Sequence, residues 1–159
     1  MAIYMKFGSI DGAVTTEGFK KWIECNSFQF NVARQIGTAA RGSRNREASE
    51  PHFGEVQITK YFDISSPKLI EDAWGGDLST TVKFKFTTTA KNKVDTFLEF
   101  ELKNCGVSTY LVSAGDQGNP MESYTLNYTK IEISHTGLDT KIGGSPTRVN
   151  YDLEVMKGS

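Results

Sequence analysis

The chain has 159 residues, with 18 Lys and Arg against 19 Asp and Glu and a formal net charge of −1. That balance gives no reason to expect nucleic acid or an anionic membrane surface as partner, and the apolar runs fall far short of the roughly 18–20 residues that span a bilayer. One domain of this size buries a core without staples, and two cysteines, Cys25 and Cys105, are fewer than a disulfide scaffold carries, which favours buried thiols over a bridge.

The first segment, Met1 to Phe7, reads as a strand from Ile3 to Phe7 and has neither the basic start, the long apolar stretch nor the cleavage site of a secretory signal. Any export of this chain is therefore expected to use a route that reads no such signal. A loop covers Asp11 to Lys20. The second strand changes phase midway: Ile23 and Cys25 share one face, whereas Phe28, Phe30 and Val32 take the opposite parity, with Gln29 and Asn31 pointing the other way. One extra residue restores the inward face, which predicts a bulge near Asn26-Ser27. Gly37 to Phe53 is a loop longer than a compact domain normally tolerates, since loops beyond roughly 12–15 residues are usually functional or disordered.

Val56 to Thr59 opens another strand. Then Ser66 stands as a cap, Pro67 suits a first helical position and Gly75-Gly76 ends the run, so a helix is expected over about 66–74. Leu69, Ile70, Ala73 and Trp74 form its apolar face, with Trp74 expected in the core. Period-two alternation returns in Val82 to Thr87, in Phe97 to Lys103 and in Val149 to Val155. Between them Tyr124, Leu126 and Tyr128 alternate, and Ile131 and Ile133 fall out of step, predicting a second bulge near Thr129-Lys130. Gly137 to Thr147 is a loop. The whole chain, 1–159, reads as one mainly β domain. Bulges bend long strands, so the sheet is expected to curl into a small β-barrel with the apolar face of the single helix packed against it.

Catalytic and metal chemistry find little support. His52 and His135 are far apart, and neither has a Cys or second His at ligand spacing. No serine stands in a Gly-x-Ser-x-Gly frame, and Glu99 with Glu101 project from one exposed strand face with nothing apolar to raise either pKa. No catalytic residue, cofactor or metal is expected. Arg34, Arg41, Arg44 and Arg46 lie in or beside the long loop, half neutralised by Glu47 and Glu50, without the context of a phosphate loop. A solvated loop, or one docking against a protein surface, suits them better, and arginine in place of lysine mildly favours docking because a planar guanidinium pairs with carboxylates two bonds at a time.

Four stretches carry a resemblance: Lys20 to Glu24, Thr59-Lys60-Tyr61-Phe62-Asp63-Ile64-Ser65-Ser66-Pro67-Lys68-Leu69, Tyr128 to Ile133, and Tyr151 to Val155. Together, and in order over nearly the whole chain, they resemble the hemolysin-coregulated protein (Hcp) family, the tube subunit of bacterial type VI secretion. The resemblance implies a small β-barrel of two packed antiparallel sheets with one flanking helix, assembling as a hexameric ring. It implies that rings stack into a hollow tube propelled by a sheath, with effectors held in the lumen and contacts to spike and sheath components. It also implies residence in the bacterial cytoplasm before firing and release to the extracellular space or a target cell afterwards. By the same analogy Arg41, Arg44, Arg46, Glu47 and Glu50 belong to a ring-stacking loop, and the position of Gln29, with Asn31 beyond it, faces the lumen. Alternation alone leaves Gln29 and Asn31 equally well explained as a solvated strand face. The rival function is a monomeric β-barrel holding a small ligand or glycan in an aromatic-lined cavity.

Overall fold

Alternating apolar and polar residues build nearly every element of the molecule. The computed structural model describes residues 1–38, 48–90, 92–137 and 146–159. Its strands are β1 (Ala2–Phe7), β2 (Ile23–Cys25), β3 (Ser27–Gln29), β4 (Val32–Ala33), β5 (His52–Phe53), β6 (Val56–Tyr61), β7 (Thr80–Ala90), β8 (Lys93–Ser113), β9 (Met121–Asn127), β10 (Lys130–His135), β11 (Thr147–Asp152) and β12 (Lys157–Gly158). The helix α1 is Ser66–Gly75. Ten strands form one antiparallel sheet, and β4 with β5 forms a small second one. The fold is mainly β, as the alternation predicts.

The large sheet has two leaves that share β8. The first runs β12–β11–β10–β8–β7–β1–β2, and the second runs β8–β9–β6–β3. β8 serves both because it is 21 residues long and changes partners at a bend. Up to Cys105 it pairs with β7 and β10, and from Gly106 onward it pairs with β9. The bend falls at Asn104, whose φ of 51° lies in the left-handed region that a short amide side chain tolerates. Its Nδ2 donates to Thr129 Oγ1 at 2.8 Å, and Thr129 N–H donates to Lys103 O at 3.1 Å.

No closed barrel forms among the described residues, in contrast to the expected closure. The leaves part at Asn26, where the chain leaves β2 in the first leaf and enters β3 in the second, the Asn26 N–H donating to Thr59 O at 2.7 Å. The phase changes expected as bulges, near Asn26-Ser27 and Thr129-Lys130, are these passages between leaves. A strand that crosses to the opposite leaf must reverse parity, because the core now lies on its other side. Irregularities of register do occur, but at Thr80/Val82, Phe86/Thr87 and Val107/Thr109.

The core fills the space between the leaves. Met5, Phe7, Ile23, Val82, Phe84 and Leu102 enter from the first leaf, Val56, Ile58, Tyr124 and Leu126 from the second, and Leu69 from α1. Phe28 joins them with its ring 4.9 Å from Phe84 and 4.8 Å from Phe100, both tilted toward edge-on contact. Trp74 corrects the sequence expectation: it is 75% exposed, whereas Leu69 is 1% exposed. Five residues further along a helix turning roughly 100° per residue, Trp74 points about 140° away from Leu69. Ser65 rather than Ser66 stands at the N-cap, and no side chain caps the helix there.

Candidate functional site

Cross-strand partners place alternate residues of the second leaf on its outer face. Gln29, Gln57, Thr125 and Thr109 form one row across β3, β6, β9 and β8, and Ser27, Thr59, Ser123 and Leu111 form the next. Tyr61, Met121 and Ser113 extend it on three strands. None of these side chains is charged. The hydroxyls and amides bond among themselves, Ser27 Oγ with Thr59 Oγ1 at 2.6 Å and Gln57 Nε2 donating to Ser123 Oγ at 3.3 Å.

One border of this leaf is an open edge. From Thr109 to Ser113, β8 pairs with β9 on one side, and none of the described strands pairs with the other. The segment Thr-Tyr-Leu-Val-Ser is β-prone and carries none of the lysines, prolines or inward charges that commonly blunt an edge. Leu111 is 63% and Val112 46% exposed. The two residues before this edge are tied down: Val107 N–H donates to Asp72 Oδ2 of α1 at 2.9 Å, and Ser108 Oγ lies within hydrogen-bond reach of Glu55 Oε2 and Thr125 O, with one proton to share between them.

Beneath the face lies a polar cluster that period-two reading could have found. Lys60 shares the parity of Val56 and Ile58, and Glu122 that of Tyr124 and Leu126, so alternation puts a base and an acid on the buried side of adjoining strands. Both are 0% exposed, with Lys60 Nζ 2.8 Å from Glu122 Oε2. Ser66 Oγ also donates to Oε2 at 2.7 Å, while Tyr110 and Tyr124 hydroxyls donate to Oε1 at 2.9 and 3.0 Å. Lys60 completes its set on Ser66 Oγ, Tyr61 O and the Asp63 carboxylate. A buried ion pair is tolerable only when its remaining lone pairs and protons are satisfied, as they are here. Burial, then the hydrogen bond to Glu122, pushes Tyr110 up to about 12. Burial also raises Tyr124 above the ordinary phenol range.

The predicted site residues divide. Gln29 lies on the neutral face, at the end of its first row. Asn31 is exposed just beyond β3, its carbonyl accepting from Gly54 N–H at 2.9 Å, and both line an open cleft of about 670 Å³ with Phe28, Phe30, Glu55 and Gln57. Glu50 is exposed. Arg41, Arg44, Arg46 and Glu47 lie outside the described residues. Cys25 and Cys105 are buried and unpaired, and burial pushes each thiol up to about 12. No cluster of His, Cys, Asp and Glu suited to a metal occurs among the described residues.

The outer face of the first leaf is a different surface. Lys83 faces Glu101 at 3.4 Å, Lys85 faces Glu99 at 3.7 Å, and Lys130 faces Asp152 at 3.0 Å, with Arg148 and Glu132 at 4.0 Å.

A family model described as "Type VI secretion system effector, Hcp" matches residues 4–135. A solved structure of a type six secretion system protein is similar over 99% of both chains at 23% identity and a TM-score of 0.88. Hcp1 from Salmonella typhimurium matches over 100% of both chains at 19% identity and a TM-score of 0.75. Hcp3 from Pseudomonas aeruginosa matches over 92% of this chain and 95% of its own at 17% identity and a TM-score of 0.62. At these identities the structures establish the fold. No curated protein matches the chain.

Proposed function

Since the chain belongs to the Hcp family of type VI secretion, a structural family and not one of enzymes, we propose that it is a tube subunit: six copies close into a ring, rings stack, and the neutral face of the second leaf lines the lumen. The observation that carries this is the pairing of an uncharged face with an uncharged open edge in one leaf. A heterologous contact that closes by rotation makes a ring, and an edge strand gives such a contact its hydrogen bonds. The edge of β8 is then the surface that meets the far border of the same leaf, around β3, in the next copy.

A wall of hydroxyls and amides serves a passage that must hold cargo and release it. Neutral groups exchange hydrogen bonds with many partners and impose no long-range field on either sign of charge. Effector proteins are the cargo in this reading, and spike and sheath components are its further partners. Gln29 and Asn31 stand at one border of that wall. Arg41, Arg44, Arg46, Glu47 and Glu50 are assigned to contacts between stacked rings. The subunit resides in the bacterial cytoplasm until the tube is fired, then reaches the extracellular space or a target cell.

Native mass spectrometry with negative-stain imaging tests the ring. Hexamers and annular particles are the expected result. A monomer at high concentration overturns the reading, and one that binds a small apolar or glycan ligand establishes the rival. For the lumen, Gln29→Arg leaves rings intact and reduces co-purified cargo, and undiminished cargo removes Gln29 from the wall. Joint charge reversal of Arg41, Arg44 and Arg46 shortens filaments while sparing single rings, and unchanged filament lengths remove those arginines from the stacking contact.

A further inference from the structure

The open edge has a single deep anchor along its exposed part. Beyond Ser108, whose hydroxyl is held by Glu55 and Thr125, the residues Thr109, Leu111, Val112 and Ser113 are all exposed. Tyr110 is the one residue of these five that is not exposed, its ring centroid 5.0 Å from that of Tyr124 and its hydroxyl on Glu122 Oε1 at 2.9 Å. Glu122 is a fixed point. Its other oxygen is held by Lys60 and Ser66, so the carboxylate is tied to β6 and to the first turn of α1 as well as to β9. Asp63 extends the tie by accepting from Ser65 N–H at 2.9 Å and lying 3.0 Å from Lys60 Nζ. A hydrogen bond to an ionised, buried acceptor is shorter and stronger than a neutral one, and a strand paired on one side has little else to fix its twist.

From this arrangement we infer that the Tyr110–Glu122 hydrogen bond sets the shape of the Thr109–Ser113 edge for its meeting with a second copy of this chain. Tyr110 is thereby a positioning residue for ring closure. The inference rests on the tube-subunit reading. It adds that the buried cluster, by way of a single hydroxyl, controls how well the edge is presented. The two tyrosines make this testable, because both donate to the same oxygen at almost equal distance, one from the open edge and one from the interior strand β9.

Tyr110→Phe and Tyr124→Phe each remove one hydroxyl from Glu122 and leave the rings in place. Ring assembly is followed by native mass spectrometry over a concentration series of the full chain. Amide exchange is measured on dilute, unassembled subunits, with denaturation midpoints as the control for stability. The expected result is that Tyr110→Phe raises the concentration for half assembly by about tenfold or more, a clear loss on the scale of association constants. It also speeds exchange at Thr109 to Ser113, whereas Tyr124→Phe stays within about twofold of the parent in both. Equal effects of the two variants on assembly, or an edge whose exchange ignores Tyr110, overturn the inference while leaving the tube reading intact. A parent chain that forms no rings overturns the reading on which both depend.

Discussion

The two outer faces of this sheet are made by the same period of two and have opposite chemistry. On the first leaf, outward positions carry Lys83, Lys85, Glu99, Glu101, Lys130, Glu132, Arg148 and Asp152, interleaved so that each charge finds an opposite neighbour on the adjoining strand. On the second leaf the equivalent positions carry hydroxyls, amides, Leu111, Met121 and Tyr61. Its one strong ion pair, Lys60 with Glu122, lies underneath, in the core. Charge is on the surface in one leaf and buried in the other. A solvated face needs charge for solubility and gains little stability from pairing it. A face that meets protein along its whole extent does better without charges that each contact would have to desolvate.

The largest test of that contrast removes a carboxylate from each leaf. Glu122→Ala leaves Lys60 charged and without its main partner in the core, and loses about 3–5 kcal/mol of stability, the range for breaking a buried pair. Glu99→Ala on the first leaf loses less than about 1 kcal/mol. Urea denaturation of the two variants measures both, and equal losses would erase the distinction between the leaves. The double variant Lys60→Met/Glu122→Leu recovers part of the loss, because no charge is then stranded, though the hydroxyls of Tyr110, Tyr124 and Ser66 still lack their acceptor.

Alkali discriminates next. Tyr110 and both thiols are held at about 12, above their ordinary values, by burial first. Tyr124 and Tyr128 are raised further by the same cause. A group whose folded pKa is raised favours the folded state while it remains protonated. Its contribution is complete below the unfolded pKa, about 9 for the thiols and 10 for the phenols, and is lost as pH climbs toward 12. The denaturation midpoint is therefore expected to hold to about pH 9 and fall between about 9 and 12. Exchange should accelerate first around β8 and β9. A flat midpoint through that window would contradict the burial of these groups.

Much of the fold is legible in the sequence. Alternation marked β1, β6, β7, the first half of β8, β10 and β11, and the Ser-Pro start marked α1, because each follows from one side chain facing the core at a time. What escaped has physical reasons. The second half of β8 follows Asn104 and Gly106, residues that normally punctuate a strand, and an αL asparagine at a sheet corner is visible only once Thr129 is beside it. Parity reversal at Asn26 and Thr129 was seen, but it signals a bulge and a change of leaf alike. Trp74 looked like core because four apolar residues in a short helix suggest one face, and only packing shows that Leu69 fills the available space. Gln29 stands on the outer face of the second leaf, the side that its parity indicates, while its place in a lumen rests on the resemblance and the proposal above. The open edge and the Lys60–Glu122 cluster were missed although parity placed both residues inward, because a lysine in a strand is by habit assigned to solvent.

The smallest expected effects sharpen the contrast by placing charge where each leaf lacks or already holds it. Gln57→Lys adds one cation to the neutral face, at the second position of its first row, where the side chain is exposed and its Nε2 donates to Ser123 Oγ. Subunit stability should stay within about 0.5 kcal/mol, as for surface substitutions generally. In the proposed ring, however, with this face lining the lumen, one added cation per copy faces the others. Assembly should then weaken at low ionic strength and recover as the screening length falls from about 30 Å at 0.01 M to about 8 Å at physiological salt. The matching change on the first leaf, Lys85→Glu with Glu99→Lys, keeps the pair and reverses its direction at one rung of the ladder. It also costs the contact of Lys85 Nζ with the Trp22 ring, now 5.5 Å from its centroid, worth about 0.5–1 kcal/mol at an exposed site. Stability should therefore fall by no more than that, and assembly should keep the salt dependence of the parent. If the swap made assembly salt-sensitive as Gln57→Lys does, the charged face rather than the neutral one would be turned toward the other copies.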